Sequence, residues 1–256
     1  MTRDRIRTEE FLQGQGLWIV LNSPKANILD RAMMSEIGAL LDQLMENRSL
    51  KLLGFVGEGA HFSFGASVEE HLAESVAGML ELFHGMFRRL VKLSVCTAAA
   101  VRGQCLGGGL ELAAFCNRVV SHPEAKLGQP EIQLAVLPPV ASLILPLRVG
   151  QAHADEINLT GRSMTAARAR EIGLVDEVAE DPRRAIEQWA EDELAPKSAS
   201  SLRFAVRASR WRFNQVLNNE LGAIEQLYLQ DLMATHDANE GLAAFLQKRR
   251  PAWHDD

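Results

Sequence analysis

Glu111 and Glu131 are the residues of this chain whose setting best supports chemistry. Glu111 follows Gly107-Gly108-Gly109, and Glu131 closes Gly128-Gln129-Pro130-Glu131. A carboxylate one turn into a helix that opens on three glycines lies beside bare backbone N–H groups and the positive end of the helix dipole. Such N–H groups hold an oxyanion, and a pair of carboxyl groups moves protons around it. These are the parts needed to form and quench an enolate, so the chain reads as an enzyme.

The elements that must position this pair follow from periodicity. Leu17 to Leu21 and Leu52 to Val56 are short apolar runs of strand type, and Thr97 to Val101 is a strand of small residues against which another backbone can pack closely. Between them, Asp30 can cap a helix carrying Met33, Ile37, Leu40, Leu41 and Leu44. A second amphipathic helix carries Val76, Leu80, Phe83, Phe87 and Leu90. Gly57 to Ser67 is a glycine-punctuated loop, Leu110 to Cys116 a short helix, and Arg118 to Ser121 another strand. Strand–turn–helix units in this order predict an α/β architecture with parallel connections. Beyond about residue 140 the pattern is mostly helical, with helices expected over 182–193, 201–212, 215–234 and 240–250. Pro196-Lys197-Ser198-Ala199-Ser200 interrupts periodicity and marks a boundary between 1–195 and 196–256. The apolar residues of the last helices, Tyr228 among them, are expected to pack on the body or on another subunit.

With 256 residues, 47% of them hydrophobic and 23% charged, the chain can bury a substantial core. Its net charge of −6 argues against nucleic-acid binding by bulk electrostatics. Cys96, Cys105 and Cys116 fit neither a disulfide framework nor a zinc site and are expected to be buried thiols in a reducing compartment. A charged start, with no apolar signal region after it and no run of the ~20 residues that span a bilayer, points to the cytoplasm.

The segment Val101-Arg102-Gly103-Gln104-Cys105-Leu106-Gly107-Gly108-Gly109-Leu110-Glu111-Leu112-Ala113 resembles the GxxLGGGxELA motif of the crotonase, or enoyl-CoA hydratase/isomerase, superfamily. Further matches occur in the family's order: Asn22 to Ala26, His61 to Ala66, Leu127 to Ile132, Thr160-Gly161-Arg162 with Ala169 to Val175, and the tail Asp237 to Arg249. The resemblance implies a spiral of repeated ββα units, with a C-terminal helical region that forms trimers, often paired into hexamers. It implies that the amides of Phe64 and Gly108 form an oxyanion hole for an acyl-CoA thioester. It also implies that Glu111 holds and deprotonates water while Glu131 delivers the proton, with no metal or cofactor beyond the CoA of the substrate. Lys25, Ala26, Ala66, Phe245 and Lys248 match positions at the CoA moiety, the last two reaching a neighbouring subunit's CoA.

The chain departs from the family pattern after Glu131, where Leu137-Pro138-Pro139-Val140-Ala141-Ser142 replaces a glycine-rich stretch. Pro139 has no N–H to help hold water, so water must be held differently. Ser67 replaces a common aspartate, and Phe64 is bulky where alanine is usual. Phe62 to His71 and Arg102 to Leu106 resemble, within the family, the cyclohexa-1,5-diene-1-carbonyl-CoA hydratases of anaerobic aromatic degradation. That resemblance implies 1,4-addition of water to a cyclic dienoyl-CoA. A general enoyl-CoA hydratase or isomerase is the alternative within enzymes, and a binding protein for RNA or protein the alternative outside them. His61 and His71 are expected to be surface or loop-packing residues. Arg203, Arg207, Arg210 and Arg212 are expected to form a solvated face or a subunit contact.

Overall fold

The apolar runs of the first half become strands of one large sheet in the computed structural model, which describes residues 4–23 and 25–256. Met1 to Arg3 of the charged start and Pro24 of the Asn22–Ala26 match lie outside the described residues. The chain runs β1 (Ile6–Phe11), β2 (Gly16–Leu21), α1 (Arg31–Leu44), β3 (Leu52–Gly57), α2 (Val76–Leu93), β4 (Cys96–Val101), β5 (Gln104–Leu106), α3 (Gly108–Phe115), β6 (Arg118–Ser121) and β7 (Lys126–Gly128). It continues through α4 (Pro139–Val149), α5 (Gln151–Thr160), β8 (Met164–Thr165), α6 (Ala166–Glu171), β9 (Glu177–Val178) and α7 (Pro182–Trp189) to α8 (Ala199–Ser209), α9 (Trp211–Gln226) and α10 (His236–Leu246).

The large sheet has the order β1-β2-β3-β4-β6-β9, and a small one has the order β5-β7-β8. All pairs in the large sheet are parallel except β1 with β2. Successive passes of the chain place one strand in the large sheet and a short one in the small sheet, as β4 with β5 and β6 with β7 do. The pass after β3 contributes Ser63, which bridges Cys105. This is the spiral of ββα units that the motifs imply.

Alternation along the strands divides the core. Trp18, Val20, Ala98, Ala100 and Val120 face Ile186 of α7 and Ala190 just after it, while Ile19, Leu21, Phe55, Ala99 and Val101 join the main core under α1 and α2. The small residues of β4 admit α7 and α3 at close range. Asp30 caps α1 as its position predicts, accepting the Met33 amide at 2.9 Å. The three cysteines are buried and unpaired.

Several elements escape the periodic patterns. β1 is a polar edge strand with one fully buried residue, Ile6, and β5, β7, β8 and β9 are too short for periodicity to register. Helix ends move with their caps. Ser198 caps α8 by accepting the Ser201 amide, and Thr235 starts α10 before Glu240 by accepting that of Ala238. α9 begins at Trp211 and gives way after Gln226 to a π-helical turn, Leu227–Asp231. Buried Leu217, Leu221, Tyr228 and Leu242 from the C-terminal part join the main core.

Of the four arginines expected to form a solvated face or a subunit contact, Arg203 and Arg210 are instead tied to carbonyls of the body, while Arg207 and Arg212 are exposed. Arg203 donates to the Leu93 and Asn47 carbonyls, and Arg210 donates to those of Phe115 and Cys116 while stacking on Phe213. These guanidinium groups satisfy carbonyls left unpaired near element ends, so they hold structure together. Among the described residues no helix is long and apolar enough to cross a membrane.

Candidate active site

Glu111 lies in the first turn of α3, a helix buried along its whole length. Its side chain is 3% exposed, and Oε1 accepts the Ala141 amide at 2.8 Å. Pro138 precedes α4 and Pro139 opens it, so the first N–H groups of that helix are those of Val140 and Ala141, and both address Glu111. The carboxylate therefore caps α4. Burial nevertheless outweighs the two amides and lifts its pKa to about 7.

Glu131 stands on a 3₁₀ turn, Pro130–Leu134, that follows β7. Buried Gln129, with its amide nitrogen turned toward acceptors, donates to the Gly107 carbonyl and to both Glu131 oxygens at 3.0–3.2 Å. Burial, and after it the charge of Glu111, holds the Glu131 carboxyl well above the usual carboxylate range. Each carboxyl is therefore held toward its protonated form, and the charge of one disfavours that of the other.

Gly107 has to be glycine. Its φ is +52°, and a Cβ there would stand 2.7 Å from Glu131 Oε1. The same turn aims the next amide. As the first residue of α3, Gly108 has an N–H with no intrahelical acceptor.

The expected partner of Gly108 in the oxyanion hole, the Phe64 amide, is taken. It donates to the Ala26 carbonyl at 3.0 Å, and the Gly65 amide donates to Ser63 Oγ at 3.0 Å. Gly65, at φ +96°, then reverses the chain, and Leu29 N–H closes onto its carbonyl at 2.9 Å. The Ala66 amide is left without a hydrogen-bond partner among the described residues. It lies 3.4 Å from where a Gly108 Cβ would be. Ala66 and Gly108, and not Phe64 and Gly108, are the free donor pair. Phe64 contributes a ring, edge-on to His61 and 39% exposed.

These groups line one cavity of about 690 Å³. Phe64, Ala66, Gly108, Glu111 and Glu131 all border it, as do Ala26 and Phe245 from the expected CoA positions. Lys25 and Lys248 do not. Both are exposed, with Lys25 next to the lining residue Ala26 and Lys248 next to Arg249. Arg249, which does line the cavity, is held by both oxygens of Glu240. His61 is a loop-packing residue, accepting the Gln104 amide at 3.2 Å. His71 bonds the Ser67 carbonyl through Nδ1 at 2.7 Å and also borders the cavity. Among the described residues the one grouping of possible metal ligands, His236, His254 and Asp256, is exposed and lies outside the cavity lining.

Sequence reasoning missed Gln129, the α4 amides, Phe83 and Tyr228 as parts of this site. Gln129 was within reach, since it lies between Gly128 and Glu131. Tyr228 was read as one apolar residue among several on a C-terminal helix.

The family model for enoyl-CoA hydratase/isomerase matches residues 14–256. The chain is 47% identical over 242 residues, 94% of each protein, to the cyclohexa-1,5-dienecarbonyl-CoA hydratase of Thauera aromatica. It superposes with a TM-score of 0.83 on an enoyl-CoA hydratase/isomerase from Xanthobacter autotrophicus Py2, at 26% identity and covering 97% of this chain and 98% of that one. An enoyl-CoA hydratase/isomerase from Pseudoalteromonas atlantica T6c shares the fold at a TM-score of 0.84, with 23% identity over 97% of this chain and 99% of the other.

Proposed function

Since this chain belongs to the enoyl-CoA hydratase/isomerase family and is a hydro-lyase of the enoyl-CoA hydratase type, we propose that it hydrates cyclohexa-1,5-diene-1-carbonyl-CoA to 6-hydroxycyclohex-1-ene-1-carbonyl-CoA, a step in anaerobic aromatic-ring breakdown. The observation that carries this reading is the buried pair Glu111 and Glu131 facing one cavity with the free amides of Ala66 and Gly108. The identity to the Thauera aromatica hydratase, 47% over 94% of each chain, supports the ring substrate.

The thioester oxygen takes the Ala66 and Gly108 amides, which stabilise it most when it becomes an oxyanion. Glu111 removes a proton from water, and hydroxide adds to C2 of the ring, β to the thioester. The electron pair spreads through the enolate to C5. Glu131 delivers a proton to C5, and the remaining double bond lies between C1 and C6. Renumbered, this is the 6-hydroxy-1-ene. Water and product balance, and the proton taken by Glu111 replaces the one given by Glu131. No cofactor beyond the CoA of the substrate enters. Because C5 lies across the ring from C2, the acid must act at a distance from the carbon that receives oxygen, and two separate carboxyl groups suit that better than one.

Lys25, Ala26, Phe245 and Lys248 are the residues we assign to the CoA moiety, with the exposed lysines as phosphate partners. Phe204, Trp211, Leu227 and Phe245 are large apolar side chains exposed on the C-terminal helices, which supports assembly into a trimer or a pair of trimers. We place the enzyme in the cytoplasm.

Incubation with cyclohexa-1,5-diene-1-carbonyl-CoA, followed by mass analysis and location of the new oxygen, tests the reading. The 6-hydroxy product supports it. Faster turnover of crotonyl-CoA than of the cyclic diene would instead make the chain a general enoyl-CoA hydratase.

A further inference from the structure

A water that attacks a carbon must be held by more than its base, and the backbone beside Glu111 is already committed. Pro138 and Pro139 carry no N–H, and the Val140 and Ala141 amides are spent on the Glu111 carboxylate. Gln129 is spent on Glu131. A further polar group is needed.

Among the described residues, buried side-chain polar atoms without any hydrogen-bond partner are His84 Nε2, Arg118 Nε, Asn158 Oδ1, Arg203 Nε and Tyr228 Oη. Of these residues only Tyr228 lines the cavity. It is 1% exposed, and its hydroxyl lies close enough to Glu131 and Glu111 to feel the charge of both. Its place in the fold is unusual as well. It sits in the π-helical turn Leu227–Asp231 that ends α9, and such turns widen a helix locally and cluster at functional sites. A buried hydroxyl with no partner is a cost to the folded protein, and a ligand that bonds it removes that cost.

We infer that the Tyr228 hydroxyl is a contact for the oxygen that is added to the substrate, holding the water before attack and the new ring hydroxyl after it. The inference rests on the hydration reading above. Burial and the two carboxyl groups push the phenol well above its ordinary range, so it stays protonated at every working pH and serves as a hydrogen-bonding group and not as a base. Glu111 then supplies the base and Tyr228 the orientation.

Tyr228→Phe, which keeps the ring and removes the hydroxyl, tests this in the full-length protein. Hydration kcat is expected to fall about tenfold or more, the factor controlled by one modest hydrogen bond, while KM for the thioester stays within about twofold. The thermal unfolding midpoint is expected to hold or rise, because a buried unpaired polar atom has been removed. A purely structural tyrosine would give the opposite pattern, a lower midpoint with kcat little changed. Wild-type kcat in the variant, or a raised KM with kcat unchanged, overturns the inference and leaves the hydratase reading intact. If the wild-type protein hydrates neither cyclic nor linear enoyl-CoA, the hydratase reading fails and the tyrosine role falls with it.

Discussion

Glu111 Oε1 accepts the amide proton of Ala141 at 2.8 Å, so the carboxylate that closes the triple-glycine turn also caps α4. One group thereby joins the spiral core to the Leu137–Ser142 segment that follows Glu131. The helix end favours the charged carboxylate, and burial opposes it. Their balance leaves Glu111 near neutrality, where a base can both accept and release a proton.

Removing either carboxyl should stop turnover without unfolding the protein. Glu111→Gln and Glu131→Gln are each expected to lower kcat by about 10²–10⁴, the usual range for a general acid or base. Steady-state kinetics with the cyclic dienoyl-CoA measures this. Activity within a few fold of wild type in either variant would remove that residue from the mechanism.

Stability should carry the signature of the raised pKa. Glu111 titrates at about 7 in the fold against 4.5 for an ordinary glutamate, so the fold prefers its protonated form. Its contribution is full below 4.5 and is lost as pH rises through about 7. Glu111→Gln has no such proton to lose, so its unfolding midpoint should gain on that of the wild type as pH climbs through this window. Midpoints that run parallel with pH would contradict the shift.

Pro139→Ala adds an N–H at the first position of α4, where Glu111 can accept it. The added donor favours the carboxylate, so the limb of the pH–rate profile assigned to Glu111 should move to lower pH by up to about one unit. An unmoved profile would mean that the new amide points elsewhere.

The oxyanion donors can be separated by changing single backbone amides to esters. Replacing the Ala66 amide is expected to cost about 10²–10³ in kcat, as for one oxyanion donor. Replacing that of Phe64 removes its bond to the Ala26 carbonyl and should cost stability, about 1 kcal/mol for one backbone hydrogen bond, more than rate. A larger loss of kcat at Phe64 than at Ala66 would restore Phe64 as the donor.

Gly107→Ala places a methyl group 2.7 Å from Glu131 Oε1 at a φ of +52°. The backbone strain alone is about 1–2 kcal/mol, and the displaced carboxyl should lower kcat well beyond what the lost stability explains. Kinetics measured far below the variant's unfolding temperature separates the two effects.

Local patterns made much of this protein legible from its residues alone. Glycines at turns that tolerate no side chain, Asp30 as a cap, and apolar spacing along α1 and α2 depend on neighbours a few positions away. The motif around Gly107–Glu111 and its ordered companions pointed to the family and to both glutamates. Short strands stayed hidden because two or three residues carry no period, and α10 begins at His236 because the Thr235 hydroxyl caps it.

Other features were settled only when distant segments met. The Phe64 amide is occupied because it faces the Ala26 carbonyl, and the Ala66 amide is left as the free donor, without a partner among the described residues, after the chain reverses at Gly65. Ala141, 30 positions from Glu111, became the carboxylate's donor. Tyr228 changed from an apolar-patch residue to one with an unpaired hydroxyl, lining the cavity that both glutamates border. Residue types determine which hydrogen bonds can form, but a hydrogen bond needs its partner within about 3 Å. Which donors remain free for a substrate is therefore decided by the folded chain.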